Sequence, residues 1–174
     1  MNYWEKNKEL VHITPAGINP EGFDPISLLS EIKGTVLDFG CGNGRMVKAF
    51  KPEDYIGTDI NSYAIKYCTE NYPEYHFDKY VVLPTVDNIL CYTVLLHISD
   101  DEIEDLIASF NAKRIIVVEI MDRGFRREGD PPVYNRNISE YIDLFKKIEK
   151  IPTKVMLLPY NRYGGVNITY AEFN

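Results

Sequence analysis

The run Val36-Leu37-Asp38-Phe39-Gly40-Cys41-Gly42-Asn43-Gly44-Arg45 constrains this chain more than any other stretch. Apolar residues lead into an acid, and three glycines follow on alternate positions. The pattern predicts a buried strand, a tight turn, and a helix beginning near Gly44. Glycines gather where backbone must adopt positive φ or where a ligand must lie against the main chain. Directly after a strand, they mark a turn shaped to receive something flat and close. Asp38 at the strand end offers a carboxylate to a cation or a donor. The dinucleotide fingerprint G-x-G-x-x-G is not met, because Arg45 stands where its third glycine belongs. A P-loop is excluded, since no G-K-[ST] follows.

The rest of the chain supplies the frame for this turn. Residues 3–12 read as a short amphipathic helix carrying Trp4, Leu10 and Val11, and 14–22 as a loop. Asp24 and Pro25 open a helix with Ile26, Leu29 and Ile32 on one face, stopping at Gly34. A short helix over 45–50 ends at Pro52. Residues 55–61 form a second strand ending in Asp59, 21 residues after Asp38. That is close to the spacing of about 20 residues at which an acid meets a nucleotide ribose in βαβ folds. One carboxylate accepts from both ribose hydroxyls, which makes an acid the fitting residue type. Asn61 or Ser62 caps the next helix, with Ala64, Ile65 and Cys68 on one face. Residues 75–78 make a third strand with Asp78 after it, and 87–92 the core of a fourth. Ser99-Asp100-Asp101-Glu102 reads as a capping box before Ile103, Leu106, Ile107 and Phe110. The apolar run 114–120 suits a strand buried on both faces of a parallel sheet. Residues 121–136 are a long loop with Arg123, Arg126, Arg127 and Arg136, and Ser139 is the expected cap of a helix carrying Ile142, Phe145 and Ile148. Strands over 153–159 and 166–173 are joined so briefly that they must form an antiparallel hairpin.

These features point to an α/β fold: a doubly wound, Rossmann-like, mostly parallel sheet of about seven strands, ending in an antiparallel hairpin, with helices on both faces. In such sheets ligands bind at the carboxyl ends of the strands, where Asp38, Asp59, Asp78, Tyr92 and Glu119 fall. The whole chain, 1–174, is expected to be one domain.

The order acid-x-G-x-G-x-G from Asp38 to Gly44 resembles motif I of the class I S-adenosylmethionine-dependent methyltransferases. Asp59-Ile60 resembles their motif II, and Thr93-Val94-Leu95-Leu96-His97-Ile98 their segment after the fourth strand. The resemblance runs over about residues 25–174. It implies S-adenosylmethionine as cofactor, with Asp38, Gly40, Cys41, Gly42, Gly44, Asp59, Ile60, Asp78 and Tyr92 around it. Asp38 would help hold the amino group, Asp59 the ribose, Ile60 the adenine face and Asp78 the adenine amino group. Asp78 departs from the family pattern in following Phe77 rather than glycine. Tyr134-Asn135-Arg136-Asn137-Ile138-Ser139 resembles the family's lead into the helix after the fifth strand, which places Arg126, Tyr134 and Arg136 at the substrate pocket. A solvated basic loop is the plainer alternative for those arginines. His97 is the one candidate base by residue type, although a histidine there also serves as pocket wall. Residues 1–24 would cover the cofactor or substrate site, unless Tyr3 and Trp4 simply pack on the core.

Composition narrows the function classes. The formal net charge of −7 disfavours generic nucleic-acid binding, which depends on neutralising phosphates. The absence of Asn-Pro-Pro disfavours methylation of base amines. No apolar run reaches the ~20 residues of a membrane span, and the first residues show no signal-peptide core. Three cysteines without metal-like spacing fit reduced thiols in a cytoplasmic setting, and no metal site is expected. The expected activity is methyl transfer to a small-molecule or protein acceptor. A catalytically silent or partner-dependent cofactor-binding module is the alternative. An NAD-dependent dehydrogenase is a third reading, opposed by Arg45 and by the terminal hairpin. The protein is expected to be a monomer or a homodimer.

Overall fold

A computed structural model describes residues 3–6, 24–128, 131–160 and 166–174. The expected helix and loop over 7–23 lie outside the described residues. Five helices occur among them: α1 (Tyr3–Lys6), α2 (Pro25–Leu29), α3 (Ser62–Asn71), α4 (Ile103–Ala108) and α5 (Ile138–Lys146). The strands are β1 (Val36–Phe39), β2 (Tyr55–Thr58), β3 (His76–Asp78), β4 (Val86–Tyr92), β5 (Ala112–Glu119), β6 (Pro152–Tyr160) and β7 (Val166–Phe173). They form one sheet in the order β3-β2-β1-β4-β5-β7-β6. The first five are parallel, and β7 joins β5 and β6 antiparallel. This is the doubly wound sheet with a reversed terminal pair that the sequence pattern predicts.

The alternation of strand side chains divides the core into two layers. Leu90, Tyr92, Ile116, Val118, Ile168 and Tyr170 face one side, with Leu29, Met46 and Phe50. Ile89, Cys91, Ile115, Val117, Ala171 and Phe173 face the other, with Ile103, Ile107, Tyr141 and Phe145. Ile115 to Val118 are all fully buried, as a strand covered on both faces requires. Cys41, Cys68 and Cys91 are buried free thiols. None of the helices among the described residues is long and apolar enough to cross a membrane.

Several local expectations shift. The helix expected over 45–50 is a 3-10 turn, Val47–Ala49. Gly42 and Gly44 hold φ of 54° and 76°, so helical geometry cannot begin before Arg45. Pro52 then pushes Lys51 into extended backbone, leaving too few residues for an α-helix. Helix α5 is capped by Asn137 rather than Ser139: the Asn137 N–H donates to Glu140 Oε2 at 2.9 Å. The Ser99 hydroxyl donates to the Glu102 carboxylate at 2.7 Å, and α4 starts only at Ile103, without a side-chain cap. Asp24 caps α2 as expected, accepting from Ile26 N at 3.0 Å.

Candidate functional site

The chain runs from β1 outward to β3 and then returns to β4 on the other side of β1, so β1 and β4 border the point where the winding reverses. A cleft of about 530 Å³ opens at the carboxyl ends of these strands. Its floor is the glycine turn. Gly40 has φ of 72°, and a Cβ there would come within 2.4 Å of Val94 Cγ2. Only glycine lets the turn approach the segment after β4 so closely. The Gly40 and Cys41 N–H groups donate to Thr58 O at 2.8 and 3.0 Å, fastening the turn to the end of β2.

Asp59 stands on the rim of this floor and lines the cleft. Its Oδ2 accepts from Gly42 N at 2.9 Å, and its Oδ1 from Asn61 N at 2.8 Å. Each oxygen retains a lone pair for a ligand hydroxyl. Burial pushes its carboxyl above the usual carboxylate range, while the Asn61 and Gly42 N–H groups oppose the rise. Ile60 lines the same wall and is 40% exposed. Such exposure of a large apolar side chain in a cleft suits an aromatic ligand face.

Arg45 proves to be a working part of the turn. Its Nη2 donates to Tyr92 O at 3.0 Å and also to the Thr93 hydroxyl, and its guanidinium lies 4.5 Å from the Tyr92 ring centroid. Thr93 has φ of 52°, an uncommon conformation for a non-glycine residue. Thr93, Tyr92 and Arg45 all line the cleft. The residue that breaks the dinucleotide fingerprint thus ties the glycine turn to the end of β4.

Gly40, Gly42, Asp59, Ile60, Tyr92 and His97 come together in the cleft, and the remaining expected residues do not. The Asp38 side chain is 2% exposed, and its Oδ2 accepts from the Tyr55 hydroxyl at 2.7 Å. Burial raises its carboxyl to about 6. The expectation that Asp38 meets a ligand is corrected, because β2 supplies a buried donor that holds the carboxylate inside the sheet. Cys41 is buried behind the floor, with its thiol 3.7 Å from Gly42 O. Gly44 faces Tyr72 and Cys68, not the opening. Asp78 is exposed and accepts from Lys79 N at 2.7 Å, while Lys79, Tyr80 and Leu83 form that rim instead.

The long loop behaves similarly. Arg126 pairs with Asp100 at 2.6 Å and lies over Tyr134, 5.6 Å from its ring centroid, outside the cleft. Arg136 is 2% exposed and donates to Leu95 O at 3.1 Å, Ile98 O at 2.9 Å and Asp100 Oδ1 at 2.7 Å. These two arginines and Tyr134 build the wall rather than face the ligand. Phe125, Arg127, Val133 and Asn135 face it instead. Asn135 is the informative omission, since nothing in its sequence neighbourhood separates it from Tyr134 or Arg136.

His97 lines the cleft, and its Nδ1 lies 3.2 Å from Pro132 O. A carbonyl only accepts, so Nδ1 carries the proton and Nε2 keeps its lone pair. Burial lowers its pKa below 6.5, partly offset by the Pro132 contact. The Trp4 ring packs on it at 4.7 Å, bringing α1 to the mouth of the cleft.

Beneath this wall Glu119 is fully buried, accepting from the Tyr141 hydroxyl and from Leu96 N at 3.2 Å. Burial pushes its carboxyl up to about 7. Because the folded value lies above the ordinary 4.5, the fold favours the protonated form. Its contribution to stability is full below about 4.5 and is lost as pH rises through about 7. Wild-type protein should therefore lose stability relative to Glu119→Gln between pH 5 and pH 8, read by urea unfolding. A constant difference between the two across that range would refute this role.

Residues 37–112 match the model of a methyltransferase domain. No curated protein matches the chain significantly. Among solved structures, the N-methyltransferase NodS from Bradyrhizobium japonicum WM9, in complex with S-adenosylhomocysteine, superposes with a TM-score of 0.75 at 14% identity, over 99% of this chain and 98% of that one. The 1,6-didemethyltoxoflavin-N1-methyltransferase of Burkholderia thailandensis gives 0.68 at 17% identity, over 92% and 78%. The magnesium protoporphyrin IX methyltransferase of Synechocystis PCC 6803, with bound S-adenosylmethionine, gives 0.66 at 16% identity, over 86% and 76%. Fold, glycine turn and domain match place the chain in the class I S-adenosylmethionine-dependent methyltransferase family.

Proposed function

We propose that this protein transfers a methyl group from S-adenosylmethionine to a small-molecule acceptor. The observation that carries the reading is the pairing of a glycine floor with the Asp59 carboxylate at the β1/β4 opening. The residues present fit the cofactor. Gly40 leaves room that a Cβ would fill, and Asn43 lines the cleft with a buried Oδ1 that has no partner in the protein. A buried unpaired acceptor is costly unless a ligand or water donates to it. When bound, the cofactor supplies a methyl group already activated by a positively charged sulfur.

The protein's task is then alignment and exclusion of water. Asp59 would accept from the ribose hydroxyls, Ile60 would pack on the adenine, and the Gly40–Gly42 turn would hold the methionine portion. Trp4 on α1 would cover the mouth, beside His97. The solved relatives named for a porphyrin and for didemethyltoxoflavin act on small molecules, which supports an acceptor of that class.

His97 would take the proton of the acceptor at Nε2. This requires a neutral ring near pH 7, which burial provides. NMR titration of the His97 ring should give a midpoint below 6.5. A midpoint at or above that value would remove the basis for the assignment. With an acceptor in hand, His97→Asn should cut kcat by roughly 10²-fold or more.

Calorimetric titration with S-adenosylmethionine, S-adenosylhomocysteine and NAD tests the main reading. Micromolar binding of both adenosyl compounds, with none of NAD, is expected. Failure of both to bind would overturn it. Turnover on a panel of small acceptors then separates an enzyme from a silent module.

A further inference from the structure

Four features converge on the end of the cleft away from Asp59. Asn135 is 2% exposed, and its Oδ1 is buried without a hydrogen-bond partner. The residues on either side are fastened to the turn after β4: Tyr134 N donates to Leu96 O at 2.7 Å, and Arg136 to Leu95 O and Ile98 O. Clamped so, Asn135 cannot swing out to solvent, and its carboxamide stays on the cleft wall. His97 is the second polar group there, with Nδ1 committed to Pro132 O.

Arg127 is the third. Arg123, Arg126 and Arg136 are each paired with an acid, namely Glu140 or Asp100. Arg127 lines the cleft and, among the described residues, has no acid partner. Its backbone pairs with Val133 at 3.0 Å in both directions, which fixes its place on the wall. It is exposed at the rim, whereas Asn135 lies deep. The fourth feature is the apolar lining between them, from Phe125, Pro131, Val133 and Ile98.

We infer that this end is the acceptor subsite and that it takes a flat, anionic ring compound. The ring slides between the apolar side chains. Hydrogen-bond donors on its inner edge, hydroxyl or ring N–H, meet Asn135 Oδ1 and His97 Nε2. An anionic group on its outer edge pairs with the Arg127 guanidinium. Two acceptors at depth select donors, since an acceptor-only ligand would leave Asn135 unpaired and set its own lone pairs against it. One unpaired guanidinium at the rim selects a carboxylate or similar anion. This inference rests on the methyltransferase reading, because it places the acceptor beside the cofactor site.

The test uses protein saturated with S-adenosylhomocysteine and the probe 3,4-dihydroxybenzoate, with 3,4-dimethoxybenzoate and uncharged 1,2-dihydroxybenzene as controls. Binding is followed by ligand-observed NMR and calorimetry. The dihydroxy acid should bind saturably, and each control about tenfold more weakly. Arg127→Gln should erase the preference for the charged probe over 1,2-dihydroxybenzene. Asn135→Leu should erase most of the preference for the dihydroxy over the dimethoxy acid. S-adenosylhomocysteine affinity, which also reports correct folding, should stay within about twofold in both variants. Equal binding of all three probes, or none by any, while the adenosyl compound binds, would overturn the inference and leave the methyltransferase reading standing. Failure of the wild-type protein to bind S-adenosylhomocysteine would overturn both.

Discussion

Asp59→Ala is expected to weaken S-adenosylhomocysteine binding by about 100-fold. Asp59 combines two duties that alanine cannot share. Its oxygens hold Gly42 N and Asn61 N, which set the glycine floor and open α3. Its remaining lone pairs face the cleft, where a ribose would present two hydroxyls. Hydrogen bonds to a charged group are worth about 1.5 to 3 kcal/mol each, so losing two costs about 3 kcal/mol or more. At 1.4 kcal/mol per decade, that is about two orders of magnitude in Kd. Asp59→Asn keeps one side-chain acceptor and should fall between wild type and alanine. Calorimetry on folded variants checks this, with circular dichroism confirming that α3 and the sheet persist. An unchanged Kd in Asp59→Ala would remove the ribose assignment while leaving the fold untouched.

The same residue shows why part of the site was legible in the sequence. Asp59 follows β2 directly, so its position at the strand's carboxyl end is set by local pattern alone. Gly40 and Gly42 are legible for a similar reason, since their residue type encodes a backbone conformation. The sheet was legible because β5 is apolar throughout and the terminal connection is too short for a crossover. Side-chain direction was not. Asp38 lies only two residues before Gly40, yet its carboxylate is captured by Tyr55 from the next strand. Arg126 and Arg127 are adjacent, and only the second faces the cleft, because Asp100 takes the first. Asn135 sits between two residues pinned to the turn after β4, a relation between segments about 40 positions apart. Motif spacing locates backbone at a strand end, and long-range partners then decide which side chains remain for a ligand.

Arg136 gives that distinction its sharpest stability test. Its spacing in the loop pointed to a substrate contact, whereas the structure gives it two backbone carbonyls and Asp100. The guanidinium holds the turn 95–98 against the chain leading into α5, which is the wall carrying His97 and Asn135. Its side chain is 3% exposed, against 27% for Arg126. Arg136→Leu keeps most of the apolar bulk but leaves the Leu95 and Ile98 carbonyls without their donor. Each unsatisfied buried acceptor costs about 1 to 3 kcal/mol, so a total near 3 kcal/mol is expected. For a chain of this length 1 kcal/mol moves Tm by about 2 to 4 °C, which predicts a fall of about 10 °C. Arg126→Leu removes an ion pair whose Asp100 partner is 51% exposed, and should lower Tm by only about 1 to 3 °C. Thermal unfolding of the two variants side by side decides the matter. Similar small shifts in both would mean that Arg136 is no clamp, and that its guanidinium is available to a ligand after all.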